Sequence, residues 1–221
     1  MGKNYMKPSL RNARRSKRLG LRLVMEYELE VRDADGKLVK RVKGISDSFV
    51  RNWIRMLRTM HLCTTSLETL NVSLLQTNGV SGTFVVNTVA GSSLIQMGAK
   101  CPADTNAYGI RVGTNPAPFD RTHYELQTII AHGSGAGQML YGATTIEDYS
   151  ETDGEVQFRH IRAIVNNSGA SITVYEIGIA IANMSAGTVR YFLIARDVIA
   201  GGVVVPAGNT LTIRYRMFVS Y

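Results

Sequence analysis

Cysteine is scarce: Cys63 and Cys101 are the only two in 221 residues. That is too few for the disulfide framework that holds small secreted domains together. Two buried free thiols are expected, because free cysteine packs as a small apolar residue; one bridge between them is the alternative. Long apolar runs are lacking as well. No stretch approaches the roughly 18 apolar residues that mark a membrane-spanning helix. No apolar segment follows the basic N-terminus as it would in a secretory signal. The expectation is a chain made in a reducing cytoplasm, kept there unless lysis releases it, with no membrane partner.

Recognisable catalytic patterns are missing too. His61, His123, His132 and His160 form no HxH, no HExxH and no ligand pair with a cysteine, the spacings that metal sites use. The segment Gly133–Gly137 lacks the Lys-Ser/Thr of a phosphate loop and opens no helix, so it reads as a flexible loop. No GxSxG elbow occurs. The chain is therefore expected to be no enzyme and to carry no cofactor and no metal.

What is present is a globular composition with a lopsided charge. Apolar residues make up 45% of the chain, and 21 glycines supply turns between many short strands. The net charge is +8, yet residues 1–60 hold 16 Lys and Arg against 6 Asp and Glu, a net of +10. The remaining residues hold 9 basic and 11 acidic side chains, a net of −2. Such asymmetry points to a polyanion or an acidic neighbour for the N-terminal quarter.

Residues 1–20 read as an extended arm. Lys3, Lys7, Arg11, Arg14, Arg15, Lys17 and Arg18 occur there with no acidic residue, and apolar residues are too few to fold alone. Over 21–43 a β-hairpin is expected. Leu21, Leu23, Met25, Tyr27, Leu29 and Val31 alternate with mostly polar residues. Asp35-Gly36 reads as a tight turn with positive φ, and Glu28 and Glu30 would face the basic return strand. The spacing of Phe49, Val50, Trp53, Ile54, Leu57 and Met60 predicts an amphipathic helix over 46–61, capped by Ser46 or Asp47. Arg51, Arg55 and Arg58 line its other face and, with the arm, form a candidate polyanion or subunit contact.

Beyond residue 62 the chain reads as short strands and loops. Phe84–Val86, Ser93–Met97, Tyr108–Val112, Leu126–Ala131, Met139–Tyr141, Val156–Val165, Ile172–Ala182, Val189–Val198 and Leu211–Val219 are expected strands. The nearly continuous apolar run of Ile172–Ala182 predicts a strand covered on both faces. Between two strands lies an acidic stretch: Glu147, Asp148, Glu151, Asp153 and Glu155. Its spacing does not match a calcium loop. It reads as a solvated loop or as a docking loop for a basic surface, such as the arm or helix of a neighbouring copy.

The order of these pieces is similar to one found in tailed-bacteriophage virion proteins. The pieces are Tyr108-Gly-Ile-Arg-Val-Gly-Thr-Asn-Pro-Ala-Pro, Arg162 to Asn167-Ser-Gly, Ile172-Thr-Val-Tyr-Glu-Ile-Gly-Ile, Phe192-Leu-Ile-Ala-Arg-Asp and Val205-Pro-Ala-Gly-Asn-Thr-Leu-Thr-Ile-Arg-Tyr. The resemblance spans roughly residues 105–221 and implies a β-sandwich whose function resides in subunit contacts. The expected fold is mainly β, an antiparallel, jelly-roll-like β-sandwich over 21–221 with one N-terminal hairpin and one helix. The expected role is a structural subunit of a bacteriophage-like particle, at a tail, neck or capsid-accessory position. Its partners would be copies of itself and other virion proteins, with nonspecific contact to packaged nucleic acid. The alternative is a nucleic-acid-binding protein using the basic residues 1–60, although no reading motif or aromatic stacking platform is evident.

Overall fold

The computed structural model describes residues 22–46, 48–61, 69–87, 96–152, 154–185 and 188–220. The arm 1–20, Leu21, Asp47, Cys63, residues 93–95 and Asp153 lie outside them. The described residues are mainly β, with antiparallel sheets and one helix.

Strands β1 (Arg22–Arg32) and β2 (Leu38–Ser46) form the expected hairpin. Its turn is longer than Asp35-Gly36 suggested. Only Gly36 takes a positive φ, and Asp33 organises the loop by accepting the Asp35 and Lys37 backbone N–H groups at 3.1 and 2.9 Å. Met25, Leu29 and Val31 are buried as the alternation predicts, but Leu23 is 58% exposed.

The larger sheet runs β2–β1–β12–β9–β7, with β8 also beside β9; here β12 is Thr210–Ser220, β9 Glu155–Val165, β7 Leu140–Ile146 and β8 Ser150–Thr152. Strand β12 shows the period of two cleanly. Leu211, Ile213, Tyr215 and Met217 are buried while Thr212, Arg214 and Arg216 between them are only partly covered. The second sheet runs β11 (Thr188–Val205), β10 (Ile172–Ser185) and β5 (Gln96–Gly98), with β6 (Gly109–Gly113) on the same side of β10 as β5. A separate hairpin joins β3 (Thr69–Leu75) to β4 (Ser81–Asn87). Residues of β1, β9 and β12, of β6, β10 and β11, and of the β3–β4 hairpin belong to one hydrophobic core.

Strand β10 is the central strand that its apolar run predicted: residues 176–181 are buried without a break. Strand β11 exceeds the predicted Val189–Val198. Gly201 and Gly202, both with positive φ, absorb an irregularity opposite Tyr175, and pairing resumes at Val203.

Two expectations are corrected. The helix, α1, spans Arg51–His61 and does not begin at Ser46. Ser46 ends β2, where its hydroxyl donates to Asp197 at 2.7 Å; Phe49 bridges Ala195, and the Val50 N–H donates to the Ile194 carbonyl at 3.0 Å. Pairing with β11 thus holds this segment extended where local periodicity favoured a helix. Leu126–Ala131 is no strand but part of the long connection 114–139 between β6 and β7. Only its middle meets β6, through an isolated antiparallel bridge of Ile129 to Gly113, with the Ile130 N–H donating to the Val112 carbonyl and the Thr114 N–H to the Thr128 carbonyl, each at 2.9 Å. The Gln127 and Thr128 N–H groups donate instead to the Glu176 carboxylate at 3.0 and 2.8 Å, which cuts the ladder short.

Candidate interaction surfaces

The solvent face of the larger sheet is a lattice of unlike charges. On β1, Glu26, Glu28 and Glu30 fall on one face by their spacing, between the basic residues of β2 and β12. Glu28 pairs with Arg41 at 3.0 Å and Lys43 at 3.1 Å; Glu26 pairs with Arg216 at 3.1 Å. Glu30 meets Arg32 at 3.3 Å, Arg214 at 3.0 Å, and Arg41. Burial under these side chains pushes the Glu30 carboxyl up, but the hydrogen bonds from Arg41 and Arg214 outweigh it and bring it down to about 2. The expected pairing of Glu28 and Glu30 with the return strand is therefore present. A groove of about 760 Å³ crosses this face, lined by Glu26, Glu28, Lys43, Arg159, Arg214 and Arg216 among others.

The predicted basic surface is narrower than the charge count of residues 1–60 implied, because Arg41 and Lys43 already have carboxylate partners. The arm residues Lys3, Lys7, Arg11, Arg14, Arg15, Lys17 and Arg18 lie outside the described residues. On α1, Arg51 and Arg58 are exposed and Arg55 is half-buried. Ile54, assigned by its spacing to the apolar stripe, is 65% exposed between them. The buried side of the helix is instead Asn52, Met56 and Thr59. Asn52 donates to the Leu75 carbonyl at 2.9 Å, and Met56 enters the main core. A helix starting at 51 with this docking is rotated from the face its apolar residues alone would choose.

Of the acidic stretch, Glu147, Asp148 and Glu151 are exposed and Asp153 lies outside the described residues. Glu147 pairs with Arg159 at 3.5 Å, and Glu155 pairs with Arg216. Two of the five candidates thus bind arginines of their own sheet. Among the described residues no cluster of three or more His, Cys, Asp or Glu is arranged to hold a metal ion.

A second set of charges, missed in the sequence reading, is buried. Arg196 and Glu176 pair at 2.6 Å with both side chains fully inaccessible. Arg196 also donates to the Ala117 and Pro118 carbonyls at 3.0 and 3.3 Å. Arg111 pairs with Glu125 through one nitrogen, at 2.6 and 2.8 Å to its two oxygens. Burial pushes the Glu125 carboxyl up, and Arg111 opposes the shift. These pairs pin the connection 114–139 against the outer face of the second sheet. Arg162 pairs with no carboxylate among the described residues: it donates to the carbonyls of Gly142 at 2.7 Å, Ile110 at 2.8 Å, Tyr108 at 3.1 Å and Pro102 at 3.4 Å, and to that of Thr105. Its guanidinium carbon also lies 4.8 Å from the centre of the Tyr141 ring. Asp197 accepts from Tyr215 at 3.0 Å and from Ser46, joining the two sheets. The readable signal was position: a charge inside an apolar strand must be paired if buried, and Glu176, Arg196 and Arg111 sit in such strands.

Among the described residues, His123, His132 and His160 do not converge. His132 accepts the Tyr141 N–H at 3.2 Å, and His123 accepts that of Asp120 at 3.1 Å. Burial and the nearby Arg196 charge push His123 down. His160 is buried beside Phe158, and burial lowers it to about 4, so it is neutral inside the core. Cys101 is a buried free thiol beneath Arg162. Among the described residues, no helix is long and apolar enough to cross a membrane. Comparison with protein-family models, curated proteins and solved structures finds no match.

Proposed function

We propose that the chain is a structural subunit of a bacteriophage-like particle, made in the host cytoplasm and resident in the virion. It would assemble with copies of itself and with other virion proteins at a tail, neck or capsid-accessory position, and it would carry out no catalysis. In this reading its two larger sheets stack as a jelly-roll-like β-sandwich. Support for the stacking comes from Met25, Ile213 and Tyr215 of one sheet, which share a core with Ile110, Ile179 and Phe192 of the other.

One observation carries the functional reading. Residues in the motifs that resemble those of virion proteins, among them Arg162, Asn166, Glu176 and Arg196, are buried and hydrogen-bonded into the frame. Asn166, for example, donates to the Ala170 and Val205 carbonyls at 2.8 and 2.7 Å and closes the turn between β9 and β10. Side chains engaged in holding loops suit a protein whose outer surface makes subunit contacts. Electron microscopy of the full-length protein beside one lacking residues 1–20 tests this. Rings, tubes or sheets that vanish on truncation are expected; a strictly monomeric full-length chain at high concentration would overturn it.

A second reading, nonspecific nucleic-acid binding, is favoured by Arg51 and Arg58, which form no ion pair among the described residues. Phosphate neutralisation would give steep salt dependence. DNA binding that is unchanged in Arg51→Glu/Arg58→Glu, or insensitive to salt, would remove that helix from any such interface.

A further inference from the structure

We infer that the larger sheet adds head to tail onto the same sheet of a second copy, the β2 edge of one chain against the β7–β8 edge of the next. This contact rests on the self-assembly reading above and specifies its geometry.

Among the described residues both ends of the sheet are open. The β2 backbone ladders there with β1 alone, and its residues 38–41 are all exposed. At the far end β7 and β8 lie in line along β9. The start of β7 is covered: the Tyr141 carbonyl accepts from Asp104 at 2.9 Å, and the Thr144 N–H donates to Cys101 at 2.8 Å. From residue 145 to 152 the chain is exposed without interruption.

The two edges carry opposite charge. Residues 37–46 contain Lys37, Lys40, Arg41 and Lys43 and no acid, while residues 145–152 contain Glu147, Asp148 and Glu151 and no base. Each also turns a large apolar side chain to solvent: Val39 is 54% exposed and Tyr149 is 72% exposed. An uncovered strand edge offers a row of N–H and C=O groups to another strand, and lysines along it are the usual obstacle to pairing with itself. Two β2 edges meeting about a two-fold axis would set lysine against lysine, and like charges directly opposite are destabilising. Two acidic edges have the same difficulty. Only unlike edges match in sign, and such a heterologous contact closes into a ring or continues as a filament.

The test uses full-length protein at low salt, followed by sedimentation velocity. Because Arg41 and Lys43 already have carboxylate partners, Lys37→Glu/Lys40→Glu makes the unpaired charge of the β2 edge acidic like that of the other edge; Asp148→Lys/Glu151→Lys makes both basic. Each variant alone should associate roughly tenfold or more weakly than the unmodified chain. Mixing the two should restore association, because each variant's altered edge then meets a complementary edge of the other. Rescue in the mixture also excludes misfolding as the cause of the loss. Variants that associate like the unmodified chain overturn this contact and leave self-assembly intact. So does a mixture that stays dissociated. An unmodified chain that is monomeric at every concentration removes both the contact and the reading beneath it.

Discussion

Removing the Glu176 carboxylate tests whether the buried framework holds the 114–139 connection. In Glu176→Leu the Arg196 guanidinium keeps its bonds to the Ala117 and Pro118 carbonyls but loses the carboxylate paired with it, at 2.6 Å. A buried charge left without its counter-charge costs about 3–5 kcal/mol. The Gln127 and Thr128 N–H groups lose their acceptor at the same time, adding about 1–3 kcal/mol for each that stays buried. Against a typical total of about 5–15 kcal/mol, the single variant should be close to unfolded. Adding Arg196→Met removes the stranded charge, and replacing both members of a buried pair by apolar groups is often near neutral. The double variant should then retain the loss at the two amides, with the Ala117 and Pro118 carbonyls also without their donor, about 2–6 kcal/mol below the unmodified protein. Urea denaturation of all three proteins measures this. Tryptic cleavage after Arg121, within the released connection, should accelerate in the double variant while the sheets persist. A single variant that loses less than about 1 kcal/mol, the scale of an exposed pair, refutes the reasoning, as does a double variant no more stable than the single one.

Three further outcomes follow from particular contacts. Because the Glu30 carboxyl is lowered from 4.5 to about 2, its stabilisation is complete above pH 4.5 and is lost as pH falls through 2. Its arginine partners are partly exposed, so Glu30→Gln should cost on the order of 1–2 kcal/mol at pH 7, and a gap that persists undiminished at pH 2 would contradict this. For His160 the folded value is lowered from 6.5 to about 4, so the unfolded chain takes up the proton first. Stability should fall by about 1–3 kcal/mol as pH drops from 6.5 through 4, and His160→Leu should flatten that part of the denaturation profile. In Gly178→Ala a new Cβ would lie 2.7 Å from the Ala195 carbonyl oxygen and 3.0 Å from Leu126. A loss of about 1–3 kcal/mol is expected from this overpacking, and a neutral thermal shift would show that the central strand can move aside.

Legibility followed how local the determining contacts are. Strand β12 was readable because one buried face and one wet face impose a period of two directly on Leu211 to Met217. Strand β10 was readable because cover on both faces leaves an unbroken apolar run. The start of α1 was not, because the competitor for residues 46–50 is the edge of β11, which lies nearly 150 residues away in the chain. Ile54 was misplaced for a related reason: the docking of Asn52 onto the Leu75 carbonyl and of Met56 into the core sets the helix rotation. Leu126–Ala131 has strand composition and bridges β6 at Ile129, yet the Gln127 and Thr128 amides meet a carboxylate and stop the ladder, an arrangement without a periodic signature. Of the candidate surfaces, residue charge was legible, as was the facing of Glu28 and Glu30 by the return strand, but not which basic residues they would bind. Nothing local distinguishes Arg41, bound to Glu28 and Glu30, from Lys37 four residues earlier.

That distinction bears on where contacts can form. Isolated exposed ion pairs contribute about 0–1 kcal/mol each, so apart from the buried Glu30 the charge lattice on the larger sheet adds little to stability by itself. Its stronger effect is on the surface. Glu26, Glu28 and Glu30 neutralise the arginines of β2 and β12 within the chain, and a partner docking on that face would have to displace pairs already formed. The sheet edges differ. Lys37 and Lys40 on one side and Asp148 on the other form no ion pair among the described residues, and both edges offer strand backbone that no described strand pairs with. A fold that neutralises its broad face and leaves complementary charge at its margins directs association sideways. For a subunit of a ring or tube, that direction matters more than the strength of any single contact.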